Sequence, residues 1–272
     1  MIIVELRKLA RRPRTWVSLF LLCALPAAVA IFLATTRIGT GAGQSPAFLS
    51  AVLANGSLFP AAALAIVLPL FLPVAVAVVG GDAVAGEASA GVLRYLLARP
   101  VGRTRLLVAK LISMAAFVLV AVLAVAISGY IIGVALFPPQ PGAAGVVTSV
   151  SGPALTPQQV LLRIGAAILY VAFSMLGVGA IALFLSTVTD SSLGATLGAI
   201  AALVASQLFV ALDAAASIRP YLPTRYWLAW IDFFREPILW RDIERGLGIQ
   251  AVYVVVFLGL SWANFATKDI SS

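Results

Sequence analysis

The sequence predicts an all-α, polytopic membrane protein: six transmembrane helices preceded by an N-terminal amphipathic helix at the membrane interface. Two observations carry this. The chain of 272 residues is 62% hydrophobic and 10% charged, with a mean hydropathy of +1.09, whereas soluble domains carry about 25% charged residues. Its apolar residues also fall into uncharged runs of about 20, the length of helix that crosses a hydrocarbon core of about 30 Å. Residues 1–272 read as a single transmembrane domain.

The rare residues exclude whole classes of chemistry. There is no His, and Cys23 is the only Cys. An internal disulfide, a His/Cys metal site and a His-dependent nucleophile are therefore excluded. The three lysines, Lys8, Lys110 and Lys268, follow Arg7, Ala109 and Thr267, so no Gly-Lys-[Ser/Thr] of a P-loop exists. If ATP drives this protein, another chain binds it. The net charge of +8 is expected at lipid headgroups and on cytoplasmic segments, not on nucleic acid, because no soluble basic domain is present.

The elements follow in order. Residues 1–14 are basic, and Ile2, Ile3, Leu6, Leu9 and Ala10 recur at helical spacing, giving a helix suited to the headgroup plane. Pro13 separates it from the first span, 16–36; a cleaved leader is the rival reading, with Ala28-Val29-Ala30 as its site. The second span is 59–79, where Pro69 and Pro73 should kink the helix and free backbone carbonyls. A polar, cytoplasmic segment, 80–110, leads to the third span, 111–137. Residues 138–159 form an uncharged Pro/Gly-rich loop. Thr156-Pro157 reads as an N-cap with Pro at the first helical position, opening the fourth span to about 186. The fifth span is 193–212 and the sixth 248–266.

Between the last two spans, residues 213–247 mix aromatics such as Trp227, Trp230 and Trp240 with five arginines. This suits an extracytoplasmic segment of short helices at the interface, and equally an ordinary aromatic belt. Eleven of the eighteen basic residues fall on the ends and on 80–110, which places both termini in the cytoplasm. Gly129/Gly133 and Gly194/Gly198 are both G-x-x-x-G pairs; the fifth-span pair is expected to pack tightly.

The informative stretch is 80–110: a Gly-interrupted helical segment, a second amphipathic turn, and a Pro-marked bend. On physics alone it is either a docking surface or a solvated connector. Its residues are Asp82, Gly86-Glu87, Gly91-Val92-Leu93, Leu96-Leu97, Pro100-Val101-Gly102-Arg103 and Lys110. At this spacing they resemble the membrane (permease) subunits of ABC-type-2 exporters, with Val92 replacing the usual Thr. Glu5, Lys8 and Arg11, and Phe265 with Lys268-Asp269-Ile270, resemble that family's ends.

The resemblance implies a permease in the cytoplasmic membrane of a prokaryote, paired with a second copy or a paralogue. It also implies two separate ATPase subunits, which bind the ATP and Mg; this chain is then no enzyme and holds no cofactor. Residues 80–110 become the coupling segment, with Asp82, Gly86, Glu87, Gly91, Arg94, Pro100 and Arg103 as candidate coupling residues. Glu87 and Arg94 would pair with charges on the ATPase; the rival is that Glu87 neutralises cations within its own subunit. The substrate stays open, since drugs, lipids, peptides and ions all move through such proteins.

Two other functions are weighed. An ion-coupled secondary transporter needs ionisable groups within the membrane, and the interiors of the expected spans hold none. An intramembrane protease is suggested superficially by Gly80-Gly81-Asp82, but no second intramembrane carboxylate partners it.

Overall fold

The computed structural model describes residues 1–36, 52, 55–89, 103–138, 147–149 and 151–267. The helices are α1 (Ile2–Arg11), α2 (Pro13–Thr36), α3 (Phe59–Val67, led by a 3-10 turn, Gly56–Leu58), α4 (Phe71–Ser89), α5 (Arg103–Leu136), α6 (Pro157–Val188), α7 (Ser192–Ala211) and α8 (Trp240–Thr267). A two-stranded antiparallel ribbon, β1 (Val147–Thr148) with β2 (Ala154–Leu155), precedes α6. Six of these helices, α2 and α4 to α8, are long and apolar enough to cross a membrane.

Local signals place several boundaries where the sequence predicts them. Pro13 opens α2 directly after α1. Thr156 caps α6 in a full capping box: its Oγ1 accepts from Gln159 N at 3.3 Å, and Gln159 Oε1 accepts from Thr156 N at 2.9 Å, satisfying two otherwise orphaned donors.

The second span differs from expectation. The chain breaks at residues 68–70, leaving a short α3, and α4 then continues to Ser89. Pro69 and Pro73 cause the break, because neither carries an N–H and each ring excludes the carbonyl four residues earlier. The carbonyl that Pro73 frees is that of Pro69, and Gln207 Nε2 on α7 donates to it at 2.5 Å. Gly80 and Gly81 do not end the helix. A Cβ on Gly80 would lie 2.8 Å from Ala182 Cβ, and one on Gly81 2.5 Å from Thr196 Oγ1. These glycines let α4 approach α6 and α7 closely. Asp82, Gly86 and Glu87 are thereby carried on the membrane helix itself.

Ser186 of α6 enters the α4 ladder. Its hydroxyl donates to Gly81 O at 2.7 Å and accepts from Val84 N and Ala85 N at 3.0 and 2.9 Å. An inserted side chain is one of the few causes of a helix bend.

α6 is the central helix, packed by α4, α5, α7 and α8. The segment between α7 and α8 folds into 3-10 turns, Asp213–Ala215, Arg219–Tyr221 and Ala229–Phe234. Its aromatics divide: Trp227, Trp230, Phe233 and Phe234 are buried core, while Tyr221 and Trp240 are exposed. Side chains of the long helices hold its backbone. Tyr170 Oη donates to Tyr226 O at 2.7 Å, Gln250 Nε2 to Pro223 O at 2.6 Å, and Arg163 Nη1 to Arg235 O at 3.2 Å. Arg163 also pairs with Glu236.

Within the chain it is the third-span glycine pair that packs tightly. A Cβ on Gly133 would lie 2.3 Å from Gly56 O, and one on Gly129 3.0 Å from Ala63 Cβ. Gly194 meets only side chains of its own N-terminal turn at 3.4 Å or more, and Gly198 meets Leu185 Cδ1 at 3.3 Å. Gly133→Leu should therefore destabilise the protein by about 3 kcal/mol or more, as overpacking against backbone does. Gly198→Leu should cost less than about 1 kcal/mol, because a flexible Leu terminus yields. Thermal unfolding of the two purified variants checks this; equal losses would refute the assignment of the tight contact.

Candidate functional site

The inner stripe of α1 is polar. Glu5, Lys8 and Leu9 recur at i, i+3 and i+4, so they share one face, and Arg12 follows as the extended C-cap. That face meets α5, whereas Ile2, Ile3 and Val4 are exposed. The stripe is matched by Asp82 and Glu87 on α4 and Lys110 on α5.

Lys8 Nζ lies 3.0 Å from Glu5 Oε1 and 3.0 Å from Glu87 Oε1. Lys110 Nζ lies 2.8 Å from Glu87 Oε2 and 3.6 Å from Glu5 Oε2. Two carboxylates and two ammonium groups thus form a closed ring. Beside it, Arg12 pairs with Asp82, whose other oxygen lies 3.6 Å from Arg14 Nη1. Glu87 and Lys110 are 5% and 3% exposed, depths at which a lone charge would be prohibitive.

Burial pulls the Lys8 ammonium toward neutrality, but its bonds to Glu87 and Glu5 outweigh that and raise its pKa above the ordinary 10.5. A raised folded-state value means that this contribution is complete below about pH 10.5 and is lost only as pH climbs through the raised value. Near neutral pH this ammonium keeps its proton.

The other sequence candidates find their places around this ring. A Cβ on Gly86 would fall 2.2 Å from Asp82 Oδ1, so Gly86 makes room for the carboxylate one turn before it. Gly91, Arg94 and Pro100 lie outside the described residues, as does the side chain of Arg103, the first residue of α5. Beneath the ring, Val84, Leu106, Leu107, Leu183 and Phe265 form a small core that joins α4, α5, α6 and α8. The Lys268-Asp269-Ile270 motif lies outside the described residues.

Sequence reasoning named Glu5, Lys8, Glu87 and Lys110 one by one and missed that they form one cluster. The signal available was the helical spacing of Glu5 and Lys8. The arrangement also revises the ionisable inventory: Asp82, Glu87, Lys110 and Arg163 all lie on helices of membrane-spanning length, each paired near a helix end.

Chemically the cluster is a clamp. Its central void is about 30 Å³, room for a water molecule but not for a substrate. Among the described residues no group of His, Cys, Asp and Glu could hold a metal. Glu87 sits two residues before the end of α4, and Lys110 two turns into α5. The pair therefore ties together the two roots of residues 90–102, and α1 is bolted across both.

Removing one member should cost far more than removing the pair. Lys110→Met should destabilise by up to about 3–5 kcal/mol, because the buried Glu87 then keeps only Lys8 as its partner. Adding Glu87→Gln should restore a substantial part of that loss. A double-mutant cycle on thermal stability measures it, and strict additivity would contradict a buried pair.

The profile of the ABC-2 family transporter proteins matches residues 1–225, from α1 through α7 and into the aromatic segment. No curated protein matches the chain. With the match spanning the clamp and five of the six long helices, this multi-pass membrane protein belongs to the ABC-2 family of transporter proteins.

Proposed function

We propose that the chain is the permease subunit of an ATP-driven exporter, dimerising with a second copy or a paralogue and docking separate ATPase subunits through residues 80–110. The observation that carries this is the clamp. A segment that receives force from a partner needs roots that do not splay, and the Glu87–Lys110 pair with α1 across it supplies them. The chain lacks a P-loop lysine, so ATP and Mg belong to the partner.

This reading divides the candidate residues into two sets. Asp82, Gly86 and Glu87 hold the root, since their side-chain space is already filled within the chain. Gly91, Arg94, Pro100 and Arg103 carry the docking contacts that the family resemblance assigns. Both termini lie in the cytoplasm, and the membrane is the cytoplasmic membrane of a prokaryote.

Co-expression with an ABC ATPase subunit separates the two sets. Arg94→Glu should weaken ATPase association about tenfold or more, which is about 1.4 kcal/mol, and leave the thermal stability of the permease unchanged. Glu87→Gln should lower that stability first. ATPase association unaffected by Arg94→Glu and Pro100→Ala together would overturn the docking assignment. Transport in vesicles driven by an ion gradient, with no ATPase present, would favour the ion-coupled alternative.

Orientation has its own test, on a Cys23→Ser background. An impermeant thiol reagent outside the cell should label Ala154→Cys, on the exposed edge of β2, and miss Arg11→Cys. The reverse pattern would refute the topology.

A further inference from the structure

Far from the clamp, α5 and α6 diverge. Between the last turns of α5 and the first half of α6 lies a cleft of about 670 Å³, floored by Gly56 and Pro60. Its size is that of a ligand site, not a packing defect. Its walls are apolar: Leu123, Ala126 and Ile127 on α5 face Leu161, Ile164 and Ile168 on α6. Its polar groups gather at one end, where Asn55, Ser57 and Tyr130 line it. Asn55 Oδ1 accepts from Ser57 N. The Asn55 amide nitrogen and the hydroxyls of Ser57 and Tyr130 have no hydrogen-bond partner among the described residues.

Depth along the helices fixes what surrounds the cleft. Lys110 and Tyr130 are 20 residues apart on α5, which is about 30 Å at 1.5 Å per residue and equals the hydrocarbon thickness. With Lys110 in the ion cluster at one boundary, Tyr130 falls at the other, the depth tyrosine favours. From Pro157 to Ile168 the cleft descends about 16 Å along α6, the depth of one leaflet. Its polar end thus meets the headgroup boundary and its apolar length runs into hydrocarbon. An empty cleft would forfeit dispersion contacts along its walls, and water along its apolar length would lack hydrogen-bond partners.

We propose that this cleft is a binding site for a bilayer phospholipid. One acyl chain lies between α5 and α6 along Leu123, Ala126, Ile164 and Ile168. The ester and headgroup oxygens sit at Asn55, Ser57 and Tyr130. The site differs from ordinary lipid contact in being walled by α5 and α6, floored by Gly56 and Pro60, and closed by donors at its polar end. It stands whether or not an ATPase docks at the opposite side of the membrane.

The full chain is reconstituted into vesicles of phosphatidylethanolamine and phosphatidylglycerol. They are doped with a phosphatidylcholine bearing a diazirine in its acyl chain, irradiated, and analysed by peptide mass spectrometry. Adducts on residues 123–137 and 157–168 should exceed those per exposed residue on α2, α7 and α8 roughly tenfold, the ratio given by about 1.4 kcal/mol of preference. Ile127→Trp with Ile164→Trp, which fills the cleft from both walls, should abolish the excess. Uniform labelling of all lipid-facing helices would overturn the proposal, and so would an excess that survives the double substitution. Cross-linking that places residues 37–54 in the cleft, with lipid excluded, would overturn it as well. If the double variant does not fold, the wild-type labelling pattern decides alone.

Discussion

The arrangement depends on one buried ion pair, Glu87 with Lys110, which joins the end of α4 to the start of α5. Glu87 and Lys110 are 5% and 3% exposed, so neither charge is tolerated there without the other. Lys8 and Glu5 complete the ring from α1, so the N-terminal helix is held by charge together with Leu9, which packs on the core. That leaves Ile2, Ile3 and Val4 facing outward, toward the surface an interfacial helix needs. The helix thus serves two faces at once: the ion pairs and Leu9 inward, Ile2, Ile3 and Val4 outward.

The rest of the packing obeys the same constraint of a solvent that competes for nothing. Apolar surface gives no preference for protein over lipid, so helices associate where small residues allow backbones to approach. Gly80 and Gly81 do this for α4 against α6 and α7, and Gly56, Gly129 and Gly133 for α3 against α5. Where proline breaks a ladder, a side chain from another helix satisfies the freed group: Gln207 reaches the Pro69 carbonyl. At Pro73 the interruption is thus met by a distant donor, which is what the hydrocarbon requires.

How much of this was legible in the sequence depended on range. The α6 cap was readable because Thr156, Pro157 and Gln159 act on one another within three residues. The break near Pro69 was foreseeable, but its consequence was not. Nothing local says that α4 then restarts and runs to Ser89, which places Asp82 and Glu87 on a membrane helix instead of a connecting loop. The partners of Glu87 and Pro69 were hidden, since Lys8 is 79 residues from one and Gln207 138 from the other. The two G-x-x-x-G pairs are identical as motifs, and only tertiary contact distinguishes Gly133 from Gly198. Trp230 and Trp240 likewise share a composition-rich segment, yet one is core and the other is exposed. Pattern gives periodicity and length; it does not give the neighbour.

The same geometry says where α4 can yield. Its N-terminal end is interrupted at 68–70, and its C-terminal end is clamped by Glu87 and Asp82. Between them the Ser186 hydroxyl bonds to the α4 backbone at Gly81, Val84 and Ala85, an insertion of the kind that bends helices. On the proposed reading, force on residues 90–102 would reach α4 through the clamp, and the Ser186 contacts lie on its path at Gly81 to Ala85. Ser186 belongs to α6, so the same path leads to the central helix. That helix packs against four of the other long helices, meets the small core beside the clamp near its C-terminal end and walls the cleft near its N-terminal end, so it is in contact with both sites.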